Sequence, residues 1–420
     1  PSTIKHGRFG DWLENNVDWA LSRNRYWGTP LPIWRCENDH LVAVGSMAEL
    51  SELAGRDVSA TDPHRPYVDD ITLPCPTCSA VATRVPEVID CWYDSGAMPF
   101  AAVGYPHESG DFAAQYPADF ICEAIDQTRG WFYTLMAVGT LVFDRSSYKT
   151  VLCLGHILDE EGRKMSKHLG NVVDPWTVLD AQGADAVRWY FYIGSMPWLP
   201  SRFSAEAVSE AQRKFIGTFW NTYAFYILYA EIDKFDPTQY RLEDCQLSEM
   251  DRWVLSRLNT LIKTVDGHLD KLRITEGGRA LQAFSEELSN WYVRRCRDRF
   301  WGSEMSEDKK AAYMTLFTCL NTLTLLTAPF LPFMTEEIYQ NIVRSVDQNA
   351  PESVHFCDYP VAEESRIDAD LEANMARVLD IVTLGRAARN DGNVKTRQPL
   401  KLMYIQGEPM HEHYVKIVTE

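Results

Sequence analysis

Apolar and polar positions change rhythm along this 420-residue chain. From about residue 205 onward, apolar positions recur every three or four residues. Val254, Leu258, Leu261, Val265, Leu269 and Leu272 make one such stripe; Leu281, Phe284, Leu288, Trp291 and Tyr292 make a second. That spacing follows the helical turn and predicts amphipathic helices sharing a core. Ser248 stands three residues before Asp251 at the head of the first stripe, in the arrangement of a capping box. A third helix is predicted from about Asp308 to Thr327. Pro329 and Pro332 interrupt the pattern, and Thr335-Glu336-Glu337 offers a new helix start. The uncharged stretch from Met314 to Met334 has the length of a membrane span. Its threonines, Asn321 and the two prolines fit a buried bundle helix instead, so no membrane partner is expected.

Upstream, the texture is different. Over residues 86–204 short apolar runs alternate with helical patterns, which predicts a parallel α/β sheet. Val151-Leu152-Cys153-Leu154-Gly155 reads as a buried strand ended by glycine, and Asp185 to Ile193 as a helix. Residues 1–35 mix a helical stretch, Trp12 to Leu21, with the turn Gly28-Thr29-Pro30. Residues 36–85, rich in Cys, Pro and Asp, read as a loop-like insert. The chain therefore divides into 1–35, 36–85, 86–204, a connecting helical segment 205–245, a bundle 246–360 and a region of mixed character at 361–420.

Composition adds limits. The net charge of −18 argues against an indiscriminate nucleic-acid coat, although a local basic patch remains compatible with it. Ten cysteines scattered through the chain form no disulfide framework, which points to a reducing, cytoplasmic setting.

Five constellations carry chemistry. Gly162-Arg163-Lys164-Met165-Ser166-Lys167 lies in a polar loop after a strand, where two flexible ammonium groups suit a polyanion. Glu123-Ala124-Ile125-Asp126-Gln127-Thr128-Arg129-Gly130-Trp131-Phe132 sets carboxylate and amide groups where they can grip an ammonium group or hydroxyls. Asp90-Cys91-Trp92-Tyr93-Asp94-Ser95-Gly96 and Trp131 supply aromatic walls, either as core or as an apolar slot. Cys75-Pro76-Thr77-Cys78, with Cys36 and His40 upstream, has the donor types of a Cys3His zinc site. Arg294, Arg295, Arg297 and Arg299 lie beside Trp291, Tyr292, Phe300 and Trp301. That mixture suits RNA, or equally a solvated helix face paired to neighbouring acids.

The lysine loop, followed by Leu169-Gly170-Asn171 and Asp174-Pro175, resembles the mobile nucleotide loop of class I aminoacyl-tRNA synthetases. The string Asp126 to Phe132 resembles the isoleucine branch of that family. Ser22 to Pro32 resembles the family's segment of re-entry into the catalytic core, Ala328 to Phe333 its anticodon-binding bundle and Asn393 to Leu400 a segment following the bundle, and the resemblance extends over nearly the whole chain. It implies the second half of a Rossmann-type nucleotide-binding fold, with 1–35 as re-entry into the catalytic core, followed by an all-α anticodon-binding bundle. It implies an enzyme that activates L-isoleucine with ATP and Mg2+ and transfers it to tRNA(Ile), acting as a monomer. Lys164, Ser166 and Lys167 would act on the triphosphate. Glu123, Asp126, Gln127 and His156 would surround the adenylate. Trp92 and Trp131 would wall the side-chain pocket, and the four arginines would face tRNA. His168 stands where many members have Ser, Ala124 where Gly is usual, and Asn38 where related sequences often have Cys. No His-x-Gly-His motif is present, so the chain alone is expected to lack activity. A valine or leucine enzyme of the same family, and a non-catalytic tRNA-binding chain, are the alternatives.

Overall fold

The computed structural model describes residues 2–107, 110–395 and 397–419. It contains two compact units, Pro1–His156 with Trp198–Pro200, and Ile157–Pro197 with Ser201–Glu420. The division falls at Ile157, inside the stretch 86–204 read as one segment.

In the first unit, the segment expected to be loop-like is folded. Its four-stranded antiparallel sheet has the order Leu41–Ala43, Ile33–Cys36, Val81–Arg84, Leu73–Pro74. Trp34 faces Val42 on one side and Arg84 on the other, and Cys36 pairs with Ala82. Trp34, Cys36, Ala82 and Arg84 point inward onto a small core with Leu50, Val68, Ile71 and Leu73. Strands of two to four residues are too short for alternation to stand out in the sequence. The helix Met47–Ala54 closes this core, capped by Ser46.

The same unit holds a strand–helix–strand element. Ala118–Ala124 and Tyr148–Leu154 pair in parallel, joined through the helix Trp131–Phe143. That helix packs on Cys91–Ala101 at very short range. A methyl group at Gly96 would sit 2.7 Å from the Thr134 carbonyl oxygen. The helix expected from Trp12 to Leu21 runs instead from Phe9 to Glu14 and then gives way to extended chain. Asn15 caps its end, donating from Nδ2 to the Asp11 carbonyl at 2.8 Å. Beyond it Trp19 Nε1 donates to Asp90 Oδ2 at 2.9 Å, a tertiary bond that draws the chain out.

The second unit is mainly helical. Glu249–Leu269 and Ile274–Glu287, with its continuation to Trp301, follow the two predicted stripes, except that Leu272 lies past the first helix in a left-handed turn and is exposed; Glu307–Thr327 is the third predicted helix. The capping box at Ser248 and Asp251 is formed in both directions. The next helix begins at Pro332, three residues earlier than Thr335. Proline at the first helical position loses no hydrogen bond, so it starts this helix where it was expected to delay it. Its cap comes from elsewhere: Asp185 Oδ2 accepts from Met334 N at 2.7 Å. On the same helix as Asp185, Arg188 donates to the carbonyls of Pro329 and Phe330 at 2.9 and 3.0 Å. The region of mixed character contains a 23-residue helix, Ala369–Asp391, which buries Leu371, Met375 and Val378. Among the described residues, no helix is long and apolar enough to cross a membrane.

Candidate functional site

In the first unit, Trp92 opens the helix Cys91–Ala101. Asp90 caps it, accepting from Trp92 N at 3.1 Å, and is itself held by Trp19 and Arg23. Opposing effects act on its carboxyl group: burial pushes the pKa up, while these donors bring it below the usual carboxylate value. Glu123 and Ala124 end the strand Ala118–Ala124, and Ile125–Arg129 forms a short 3-10 turn. Ala124 has an extended backbone, which alanine adopts without strain. Gln127 organises the turn: its Oε1 accepts from Trp131 N at 2.9 Å, and its Nε2 donates to Asp126 at 3.0 Å. Trp131 Nε1 donates to the Ser95 carbonyl at 3.0 Å, which fixes the indole. Gly130 lies against Gln127 and the Trp92 ring. A methyl group there would come within 2.7 Å of Gln127 Oε1 and 3.1 Å of the Trp92 ring. The fold thus gathers Trp92, Gln127 and Trp131 around a glycine, with one face of Trp92 open to solvent. Glu123, Asp126 and His156 are exposed.

In the second unit the lysine loop follows the short strand Ile157–Leu158. Met165 turns inward onto the cluster of Val178, Ala186, Phe203 and Val208. Lys164 and Lys167 are exposed and have no ion pair among the described residues. Arg163 is occupied by Asp159 and Glu161, at 2.9 and 3.0 Å. Sequence reasoning missed Asp159. It is buried and polar, twelve residues before Asn171, with no feature of composition to mark it.

Cys36, His40, Cys75 and Cys78 converge, with their donor atoms all within 4.8 Å of one another. Cys36 Sγ lies 3.6 Å from His40 Nδ1 and 3.7 Å from Cys78 Sγ. His40 Nδ1 lies 3.3 Å from Cys78 Sγ and 3.7 Å from Cys75 Sγ. A tetrahedron with bonds of about 2.3 Å to sulfur and 2.0 Å to nitrogen has edges of roughly 3.5–3.8 Å, so the donor set fits zinc. Two tight turns at strand ends present it, one at Asp39 and one at Ser79, both in the left-handed region. Asn38 Nδ2 donates to Cys78 Sγ at 3.4 Å, a contact from outside the donor set that orients the sulfur.

The arginine cluster separates. Arg294 and Arg297 are exposed, and Arg295 is half-buried. Arg299 does not fit the RNA-facing role expected of it. It donates to both oxygens of the fully buried Asp251, at 2.7 and 2.9 Å, and to Asp308 at 3.0 Å. Its planar fork is filled inside the protein, leaving no donor edge for a phosphate.

Comparison with known proteins places these features. Residues 1–197 match the family described as "tRNA synthetases class I (I, L, M and V)", and residues 251–404 match "Anticodon-binding domain of tRNA ligase". An isoleucine–tRNA ligase of Clostridium kluyveri is 54% identical over 419 residues, which is all of this chain and 40% of that protein. The corresponding ligase of Streptomyces coelicolor is 54% identical over 408 residues, covering 96% of this chain and 38% of its own length. The chain thus spans about 40% of the length of the curated relatives it matches. In fold it is similar to the Agrobacterium radiobacter K84 agnB2 LeuRS solved with tRNA and LeuAMS: TM-score 0.61, 20% identity, covering 88% of this chain and 46% of that one. It is also similar to the Mycobacterium tuberculosis methionyl-tRNA synthetase solved with methionyl-adenylate: TM-score 0.57, 17% identity, covering 86% and 64%.

Proposed function

The chain belongs to the class I tRNA synthetases, in their isoleucine branch, and from that membership we propose that it carries part of the site that activates L-isoleucine and the helical surface that meets tRNA(Ile). The arrangement around Gly130 carries the reading. Gln127 pins Trp131 through its backbone N–H, and the Trp92 ring abuts Gly130, so both tryptophans meet one turn that also carries exposed carboxylates. An aliphatic side chain would lie against the indoles, and its ammonium group would meet Glu123 or Asp126. Gln127 and His156 would contact the adenylate.

Lys164 and Lys167 would stabilise the charge that develops on the triphosphate of ATP, with Mg2+ bound to the nucleotide and Ser166 in support. The reaction is a displacement at phosphorus, so positioning and charge stabilisation supply the catalysis and no covalent enzyme intermediate is needed. A zinc ion held by Cys36, His40, Cys75 and Cys78 would brace the insert structurally. The exposed Arg294 and Arg297, with Arg295 beside them, would face RNA. The enzyme would act as a monomer in the cytoplasm.

The test is binding and exchange by this chain. It should retain tRNA(Ile) in preference to tRNA(Val), and it should show little isoleucine-dependent pyrophosphate exchange, because the His-x-Gly-His motif is not in it. Equal retention of both tRNAs would overturn the isoleucine assignment. Exchange at the rate of an intact ligase would overturn the need for that motif.

A further inference from the structure

The loop that carries the two lysines is closed by residues outside the motif. Backbone bonds form its first turn: Asp159 N donates to the Arg163 carbonyl, and Gly162 N to the Asp159 carbonyl, both at 2.9 Å. Gly162 has φ +82°, which a side chain would strain. The Asp159 carboxylate then collects three donors. Oδ1 accepts from Arg163 N at 2.6 Å; Oδ2 accepts from Arg163 Nε at 2.9 Å and from Asn171 Nδ2 at 2.7 Å. Asn171 completes the ring. Its Oδ1 accepts from Ser166 N at 2.9 Å, and its Nδ2 also reaches the Lys164 carbonyl at 3.3 Å.

Every one of these bonds ends on the backbone of the lysine motif or on the two residues that clasp it. None uses the Lys164 or Lys167 ammonium group. Met165 pegs the loop from below through the apolar cluster.

We infer that Asp159 and Asn171 form a latch that holds the backbone of Lys164 to Lys167 in one geometry, making them positioning residues for the binding of a polyphosphate by the two lysines. The inference rests on the reading of those lysines as phosphate ligands. Without the latch the loop samples many conformations, and binding must order it. The state of Asp159 agrees with this role. Burial alone would raise its pKa, yet the bonds from Asn171 and Arg163 bring it down to about 2, so the latch stays ionised across physiological pH.

The probe is inorganic tripolyphosphate, titrated calorimetrically into this chain. Wild type should bind it, and the double variant K164A/K167A should lose binding. N171A and D159N should each weaken it about tenfold, the scale of one lost charge-assisted hydrogen bond. In N171A and D159N amide exchange should rise over 160–171 without rising over 249–327.

Different outcomes overturn different claims. Wild-type affinity in N171A and D159N, with binding lost in K164A/K167A, overturns the latch and leaves the lysine reading intact. Weakened binding in N171A and D159N with amide exchange raised over 249–327 as well marks general damage and also overturns the latch. Absence of binding by wild type, or full binding by K164A/K167A, overturns the lysine reading and the latch with it.

Discussion

Arg297 and Arg299 are two positions apart on one helix and have opposite fates. Arg297 reaches solvent, while Arg299 is spent on Asp251. In the sequence both sat in one basic run beside aromatics, and nothing local told them apart. What separates them is a carboxylate from another helix, 48 residues away. Burial pushes the Asp251 pKa up, and the Arg299, Tyr292 and Ser248 bonds bring it below the usual value. A depressed carboxyl pKa stabilises the fold above the unfolded pKa, and that contribution is lost as pH falls through the folded value. R299A should therefore cost about 3–5 kcal/mol in urea unfolding, because it strands a buried charge. R294A and R297A should each leave stability within about 0.5 kcal/mol and weaken tRNA retention. Unchanged stability in R299A would refute the structural role. The same lesson applies to Asp159, an ordinary acid in sequence that three converging donors make the centre of a loop.

Helices and strands differed in how plainly they could be read. The two stripes of the bundle predicted two of its helices because one-sided burial over many turns leaves a periodic trace. The strands of the insert left none, since two to four residues cannot establish a period. The helix starts at Pro332, earlier than expected, for another reason: its cap is Asp185, which lies 149 positions before the Met334 N–H it accepts. Helix packing in the first unit depends on an absent side chain. Gly96 of the helix Cys91–Ala101 meets the Thr134 backbone, which cannot yield as a side chain can. Gly96→Ala should thus destabilise the first unit by about 1–3 kcal/mol through overpacking, in spite of alanine's better helix propensity. A thermal midpoint equal to or above wild type would show that the two helices move apart at no cost.

For the molecule as a whole, the division at Ile157 assigns the lysine loop to the helical unit and the tryptophan pair to the other. The zinc reading belongs to the first unit alone. Chelation should release one zinc per chain and raise amide exchange across residues 33–84, while exchange over 249–327 stays as it was. Retained protection of 33–84 in a metal-free chain would show that packing of Trp34, Leu50 and Ile71 suffices there. The sequence by itself pointed to the family and to the succession from α/β to helical architecture, and it marked the lysine loop, the cysteine–histidine set and the tryptophans as candidates. These are legible because periodicity and contiguous motifs are local properties of a chain. Only the tertiary structure decided which arginine is structural, what caps the helix at Pro332, that the insert is a sheet, and that Asp159 reaches Asn171 across the lysine motif. Each of those depends on a partner that folding brings near, and no spacing along the chain encodes that distance.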